Sequence, residues 1–263
     1  MKKNRIVVKV GTSTLTNELG NSNLRMMEKL AMVLSDIHNM GNEVILVSSG
    51  AIAVGANKMH LKEKPKEMRM KQAAAAVGQC TNMFLYDKFF GYYDKMVGQI
   101  LLNSEDIAEE QKKENLSNTF SALLEQGVIP IVNENDSVNF KEIETAERLF
   151  SDNDVLSAVV AVLCQADKLV IMSDIDGFFD KDPRLFKDAK LISQIDEITE
   201  EIYKLAGGAG SRRGTGGMRT KLQAADIATA QGIDTIVMNG KDPEKLYDVV
   251  KDRSVGTLFK GHR

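Results

Sequence analysis

Short apolar runs alternate with longer stretches of helical periodicity along almost the whole chain. IVVKV is followed, after a loop, by LRMMEKLAMVLSDIHNMG, where Met27, Leu30, Ala31, Leu34 and Ile37 fall at the spacing of one helix face. That helix is expected to stop at Gly41, with EVILVSSG following as a buried strand. KQAAAAVGQCTNMFLYDKFF predicts a second long helix and MVGQILLN a strand. NLSNTFSALLEQG predicts a helix closed by Gly127, then VIPIVNEND a strand; SDNDVLSAVVAVLCQAD predicts a helix capped by an Asp or Ser, then KLVIMSD a strand. The remainder predicts helices over ITEEIYKLAGG, TKLQAADIATAQG and DPEKLYDVVKDR, and strands over IDTIVMNG and VGTLFK.

Alternation of this kind argues for an α/β fold, a three-layer αβα sandwich whose mainly parallel central sheet carries helices on both faces. VILV and LVIM are apolar throughout, as strands buried on both sides require. No repeat of fixed period is present, and only 4 prolines occur, so no stiff linker marks a boundary. The least regular stretch, SDIDGFFDKDPRLFKDAKLI, is where one lobe is expected to yield to the next. In open α/β sheets ligands bind beyond the carboxyl ends of the strands, so the residues that end strands are the candidates. They are KVGTS, VSSGA, VNENDS and MSDIDG, each rich in glycine, small hydroxyls or acids and amides.

Composition narrows the partners. With 34 basic against 37 acidic side chains and a net charge of −3, bulk charge gives no reason to expect nucleic acid or an anionic membrane as the main partner. No apolar run approaches the roughly 20 residues that span a bilayer. The basic start MKKNRIVVKVG enters a glycine turn too soon for a signal peptide and reads as a first strand, so a cytoplasmic protein is expected. Cys80 and Cys164 lie in apolar helical patterns and read as small buried hydrophobes. His38, His60 and His262 share no metal spacing, and no metal-ligating set is assigned.

Four segments carry chemistry. GTGGMRTK, residues 214–221, opens a helix but lacks the spacing of a P-loop. It is either a surface loop or an anion cradle, in which bare backbone amides and the helix dipole meet a phosphate. Lys221 in the first helical turn opposes that dipole unless an anion compensates it. In KVGTS, Lys9 interrupts an apolar strand; it lies at a sheet edge, snorkels, or points into the ligand crevice, and the Gly11, Thr12 and Ser13 that follow favour the last. VSSGA offers Ser48, Ser49 and Gly50 at a strand-to-helix junction, as a plain cap or a carboxylate holder. Asn133, Glu134, Asn135 and Asp136, with Asp152, Asn153 and Asp154, suit a cation, an ammonium group or simple turn and cap duties; EF-hand spacing is absent.

Assembled, these blocks resemble the amino acid kinase family. VVKVGTS, VSSGAIAVG, KQAAAAVGQ, VNENDSV, DNDVLSA, SDIDGFFDKDPR, GTGGMRTKLQAADIA and SVGTLF fall in family order and span nearly the whole chain. NENDSV, DNDVLSA and GTGGMRTK point more narrowly to the branch that acts on glutamate. The resemblance implies the amino acid kinase fold, with a substrate-binding lobe over 1–167 and a nucleotide-binding lobe over 168–263. It implies ATP-dependent phosphorylation of the γ-carboxylate of L-glutamate, with Mg²⁺, as the first step of proline biosynthesis. Carried over by position, Lys9 and Lys221 resemble the lysines that contact the transferring phosphoryl group, and Asp154 the acid that orients them. Ser49, Asp136 and Asn153 match glutamate-binding positions. Ser173, Asp174 and the run Thr215, Gly216, Gly217, Met218, Arg219, Thr220 and Lys221 match nucleotide contacts, Lys9 among them, while Gly11 and Gly50 match phosphate-loop backbone.

Two departures limit the carry-over. Ser151 stands where the family usually has glycine before DND, and NFKEIETAERLF between the substrate blocks is longer than is common. That stretch is expected to serve as a lid or an inhibitor-sensing loop, with proline competing at the glutamate site. Many bacterial relatives continue into an RNA-binding-like PUA domain, which is not expected here. A homo-oligomer, covered in part by MFLYDKFFGYY, and functional coupling to the glutamate-5-semialdehyde dehydrogenase that consumes the labile acyl phosphate complete the expectations. The rivals are another carboxylate kinase of the family, such as one acting on acetylglutamate or aspartate, and a non-catalytic nucleotide sensor. A nicotinamide dehydrogenase is disfavoured because GxGxxG is missing from the first strand–helix turn.

Overall fold

The computed structural model describes residues 3–17, 20–138, 152–206 and 217–262. The strands are β1 (Arg5–Val10), β2 (Glu43–Ser48), β3 (Val97–Leu102), β4 (Ile129–Glu134), β5 (Lys168–Ser173), β6 (Phe178–Phe179), β7 (Leu191–Ile192), β8 (Gln194–Ile195), β9 (Asp234–Asn239) and β10 (Thr257–Phe259). The helices are α1 (Thr12–Leu15), α2 (Leu24–Asn39), α3 (Ala51–Lys58), α4 (Met68–Gly91), α5 (Ser104–Ala108), α6 (Glu110–Glu125), α7 (Asn153–Leu163), α8 (Glu200–Ala206), α9 (Gly217–Thr229) and α10 (Leu246–Val250).

Eight strands form one sheet in the order β3-β4-β2-β1-β5-β9-β10-β8. Every pairing from β3 to β9 is parallel; β10 runs antiparallel to β9, and β8 follows β10. The expected three-layer αβα sandwich with a mainly parallel sheet is therefore observed. Because side chains alternate across a strand, β1 feeds two cores. Val7 joins Ile45, Val47, Leu169, Ile171 and Val237 under α6, α7 and α9. Ile6, Val8 and Val10 join Leu46, Val170 and Met238 under α2, α4 and α10. The strand direction from β1 leads outward to β2 on one side, while β5 flanks β1 on the other, so the carboxyl end of β1 is a topological switch point.

Several expectations need correction. The segment read as irregular after β5 contains the antiparallel hairpin β6–β7, where Phe178 pairs with Ile192. DPEKLYDVVKDR is not one helix: a 3-10 turn over Pro243–Lys245, capped by the Asp242 side chain, precedes the short α10. Of the two cysteines only Cys164 is buried; Cys80 is exposed. The turn of α4 that carries it gives its buried face to Gly78 and leaves Cys80 exposed.

Glycine placement explains how α3 is held. A Cβ at Gly55 would lie 1.7 Å from the Ala74 carbonyl oxygen, and one at Gly78 would lie 1.8 Å from that of Ala51. The backbones of α3 and α4 are thus in direct contact, which only glycine at both positions permits. Gly50, which opens α3, adopts a left-handed φ of 94. Replacing Gly55 or Gly78 by Ala should force the helices apart and destabilise the fold by about 1–3 kcal/mol or more. A urea midpoint equal to that of the wild type would count against this contact.

Candidate active site

The alternation of β1 turns Lys9 to the same face as Val7, into the layer roofed by α7 and α9. An ammonium there needs a counter-charge, and Asp154 in the first turn of α7 supplies it, 2.5 Å from Lys9 Nζ through Oδ1. The other oxygen, Oδ2, lies 3.0 Å from Lys221 Nζ on α9. Exposure is 5% for Lys9, 0% for Asp154 and 7% for Lys221, so three charged groups are buried together. Asp154 Oδ2 also accepts from the Thr220 hydroxyl at 2.9 Å, and Lys221 Nζ donates to the Gly217 carbonyl at 3.0 Å.

Burial works against the charged form of Asp154, but the charges of Lys9 and Lys221 and their hydrogen bonds outweigh it, and its pKa stays below the ordinary carboxylate value. The N-terminus of α7 favours the same charge. Lys221, expected in the first turn of its helix, is instead the fifth residue of α9, a full turn in from Gly217, and its counter-charge is Asp154. Among the described residues neither lysine has another acidic partner within salt-bridge distance. Two ammonium groups share one carboxylate, and a second acid, Asp152, reaches the Thr220 hydroxyl at 3.4 Å beside them.

Beside it runs a polar relay. Asn153 Nδ2 donates to Ser49 Oγ at 2.8 Å, to Asn133 Oδ1 at 3.0 Å and to the Ser48 carbonyl at 3.4 Å. Asn133 Nδ2 donates in turn to Gln79 Oε1 at 3.0 Å. Below Ser49, the Ser48 hydroxyl pairs with Tyr86 Oη at 2.8 Å, and burial raises the Tyr86 phenol pKa, keeping it neutral. The relay opens into a cleft of ≈ 430 Å³ between α4, the end of β3 and the turn after β4. Gln79, Cys80, Gln99 and Asp136 are among its walls.

On the far side of β1, Ser173 ends β5 and its hydroxyl donates to Asp174 Oδ1 at 3.0 Å. The Gly240 amide donates to the Ser173 carbonyl at 2.7 Å, which ties the ends of β5 and β9 together. At Gly11 a Cβ would stand 3.7 Å from Lys9 Nζ, so glycine leaves the space over the ammonium open.

The amino acid kinase family model matches residues 4–239. The chain belongs to the amino acid kinase family. Among the relatives of this amino acid kinase, the Glutamate 5-kinase of Clostridium perfringens (strain 13 / Type A) is 56% identical, over 97% of this chain and 94% of that protein. The Glutamate 5-kinase of Clostridium acetobutylicum is 50% identical, with coverage of 97% and 94%. That of Caldanaerobacter subterraneus subsp. tengcongensis is also 50% identical, but the match spans 97% of this chain and 67% of that protein. In fold, this amino acid kinase is similar to the isopentenyl phosphate kinase of T. acidophilum, with a TM-score of 0.65 at 17% identity and coverage of 97% and 100%. The UMP kinase of Bacillus anthracis gives a TM-score of 0.65 at 17% identity, covering 99% and 97%.

In this amino acid kinase the structure brings Lys9, Lys221 and Asp154 into contact, and joins Ser49 to Asn153. Asp136 lines the cleft wall. Thr220 reaches Asp154, Met218 packs against the core, and Arg219 and Gly217 face solvent. Thr215 and Gly216, with Ser151 and the stretch 139–150, lie outside the described residues. Sequence reasoning missed Gln79, Tyr86 and the hydroxyl of Thr220 as members of the network. Gln79 and Tyr86 sit within an apolar-looking helix, and only the packing of α4 turns them to the site.

Asp154→Asn should leave two buried ammonium groups unpaired and destabilise the protein by about 3–5 kcal/mol at pH 7. Its lowered pKa also sets a sign. The contribution of Asp154 is fully present above the ordinary value of 3.8 and is lost as pH falls through the lower folded-state value. Wild-type stability should therefore fall more steeply with acid in that range than that of the variant. Equal stability of the two proteins in urea at pH 7 would contradict the shared-carboxylate reading.

Proposed function

We propose that this chain phosphorylates the γ-carboxylate of L-glutamate with ATP, giving L-glutamyl 5-phosphate at the first step of proline biosynthesis. One observation carries the reading: Lys9 and Lys221 converge on a single buried carboxylate at the carboxyl edge of the sheet. Relatives named Glutamate 5-kinase at 56% and 50% identity support glutamate as the acceptor.

The γ-carboxylate is already an anion near neutral pH, so its attack needs no general base. A carboxylate oxygen bonds to the γ-phosphorus as the bond to the β,γ-bridging oxygen breaks, and ADP departs with that electron pair. The difficulty is bringing two anions together and holding attacking and leaving oxygens in line. Lys9 and Lys221 neutralise the charge spread over the phosphoryl oxygens, and Asp154 holds both ammonium groups without taking a proton. Ser49 and Asn153 receive the acceptor, and Asp136 takes its α-ammonium group. Gly11 and Gly50 keep the phosphate path bare. Ser173, Asp174 and residues 215–221 hold the nucleotide, so residues 1–167 act as the substrate lobe and 168–263 as the nucleotide lobe.

Among the described residues no three His, Cys, Asp or Glu side chains gather as a resident metal requires, and Asp154 is already engaged by two cations. Magnesium enters with the nucleotide substrate, on its phosphates. No described helix is long and apolar enough to cross a membrane; a cytoplasmic location belongs to the same proposal. Feedback inhibition by proline at the glutamate site and coupling to glutamate-5-semialdehyde dehydrogenase belong to the same proposal. So does a homo-oligomer, for which the exposed Phe84 and Tyr92 of MFLYDKFFGYY offer apolar surface.

The test is an assay with ATP, Mg²⁺ and L-glutamate in which hydroxylamine traps the acyl phosphate; absence of the hydroxamate would overturn the reading. Lys9→Ala and Lys221→Ala should each lower kcat by a factor on the order of 10²–10³. Near-normal turnover in either would remove that lysine from the phosphoryl site. Asp136→Ala should mainly raise the KM for glutamate, measured by the same trap.

A further inference from the structure

We infer that Gln79 is a specificity-determining residue that reads the α-carboxylate of the substrate, an inference that rests on the proposed glutamate chemistry and adds a contact to it. The direction of the polar relay is set at one end. The Ser48 carbonyl can only accept, so the Asn153 nitrogen that faces it is a donor, and Asn133 Oδ1 beside the same nitrogen is an acceptor. Asn133 must then present its amide nitrogen to Gln79, which makes the Gln79 contact atom its oxygen. The Gln79 amide nitrogen is left over. No described residue takes it up, and Gln79 lines the cleft whose walls also include Asp136.

A cleft with a carboxylate on one wall and, on another, an amide donor with no partner among the described residues matches an α-amino acid: ammonium toward Asp136, α-carboxylate toward Gln79. The side-chain carboxylate is then left to extend past Asn133 toward Ser49 and the lysines. A substrate that pairs this donor gains selectivity over one that cannot. Nearby Gln99 is exposed and has no such fixed orientation.

Gln79→Glu tests this directly, because it keeps the oxygen that Asn133 needs and replaces the donor by an acceptor that carries negative charge. The KM for L-glutamate should rise roughly 10- to 100-fold with kcat little changed. L-isoglutamine retains the γ-carboxylate but carries an α-carboxamide, which can donate to the new carboxylate. Its kcat/KM relative to L-glutamate should rise by roughly tenfold or more in the variant, a reversal that a merely structural role would not produce. Gln79→Met offers a second arm: 4-aminobutyrate, which lacks the α-carboxylate, should be discriminated from glutamate less strongly by this variant than by the wild type. No turnover of glutamate by the wild-type chain sinks the functional reading and this inference together. Turnover in the wild type, with an unmoved KM or unchanged substrate ratios in the variants, sinks the Gln79 assignment alone.

Discussion

Asp154 stands between two lysines in the interior of the sandwich, and much else depends on that contact. Removing an ion from water costs several kcal/mol unless partners replace the hydration, so none of these three groups is tolerable there by itself. Lys9 arrives on the central strand β1, Asp154 on α7 and Lys221 on α9, from distant parts of the chain. Docking of both helices on the same face of the sheet and assembly of the charged centre are therefore one event. The apolar layer around Val7, Leu156 and Leu222 supplies the driving force, and the carboxylate makes the lysines admissible within it.

A second constraint acts on the other side of β1. The glycine-to-glycine contact of α3 with α4 brings two backbones together, which fixes where α3 begins and hence where Ser49 and Gly50 stand. The same helix α4 presents Gln79 to Asn133 and Tyr86 to Ser48. One helix thus orders both ends of the polar relay. The lysine centre is ionic and buried, whereas the relay is a chain of neutral amides and hydroxyls whose direction is set by a carbonyl that cannot donate. The first suits charge that is moving, and the second suits recognition of a substrate that is standing still.

Much of the architecture was legible in the residues. The β-branched strands, the helical spacing of α2, the glycine stops and the strand-end clusters all predicted elements that the structure contains, because local propensity and two-sided burial agree there. The misses have tertiary causes. Pairing of Phe178 with Ile192 links segments separated by a polar turn that carries no alternation of its own. Cys80 looks apolar by its neighbours in sequence, yet it lies on the outward side of a helix whose inward side is spent on Gly78. For Lys9 the strand pattern left three orientations open, and register decided among them, by placing it between Val47 and Ile171 in the middle of the sheet.

Taken alone, the order of residues determined the kinds of element, the carboxyl strand ends as the place for chemistry, and the set of blocks that mark the amino acid kinase family. Those features are local, since spacing, glycine and capping act within a few neighbours along the chain. Only the tertiary structure decided that two lysines share one carboxylate, that Thr220 joins them, and that a glutamine in an alanine-rich helix turns its amide to the cleft. Such contacts join residues far apart in the chain, across helices whose packing is set by the whole sheet, and nothing in the neighbourhood of either partner encodes the distance between them.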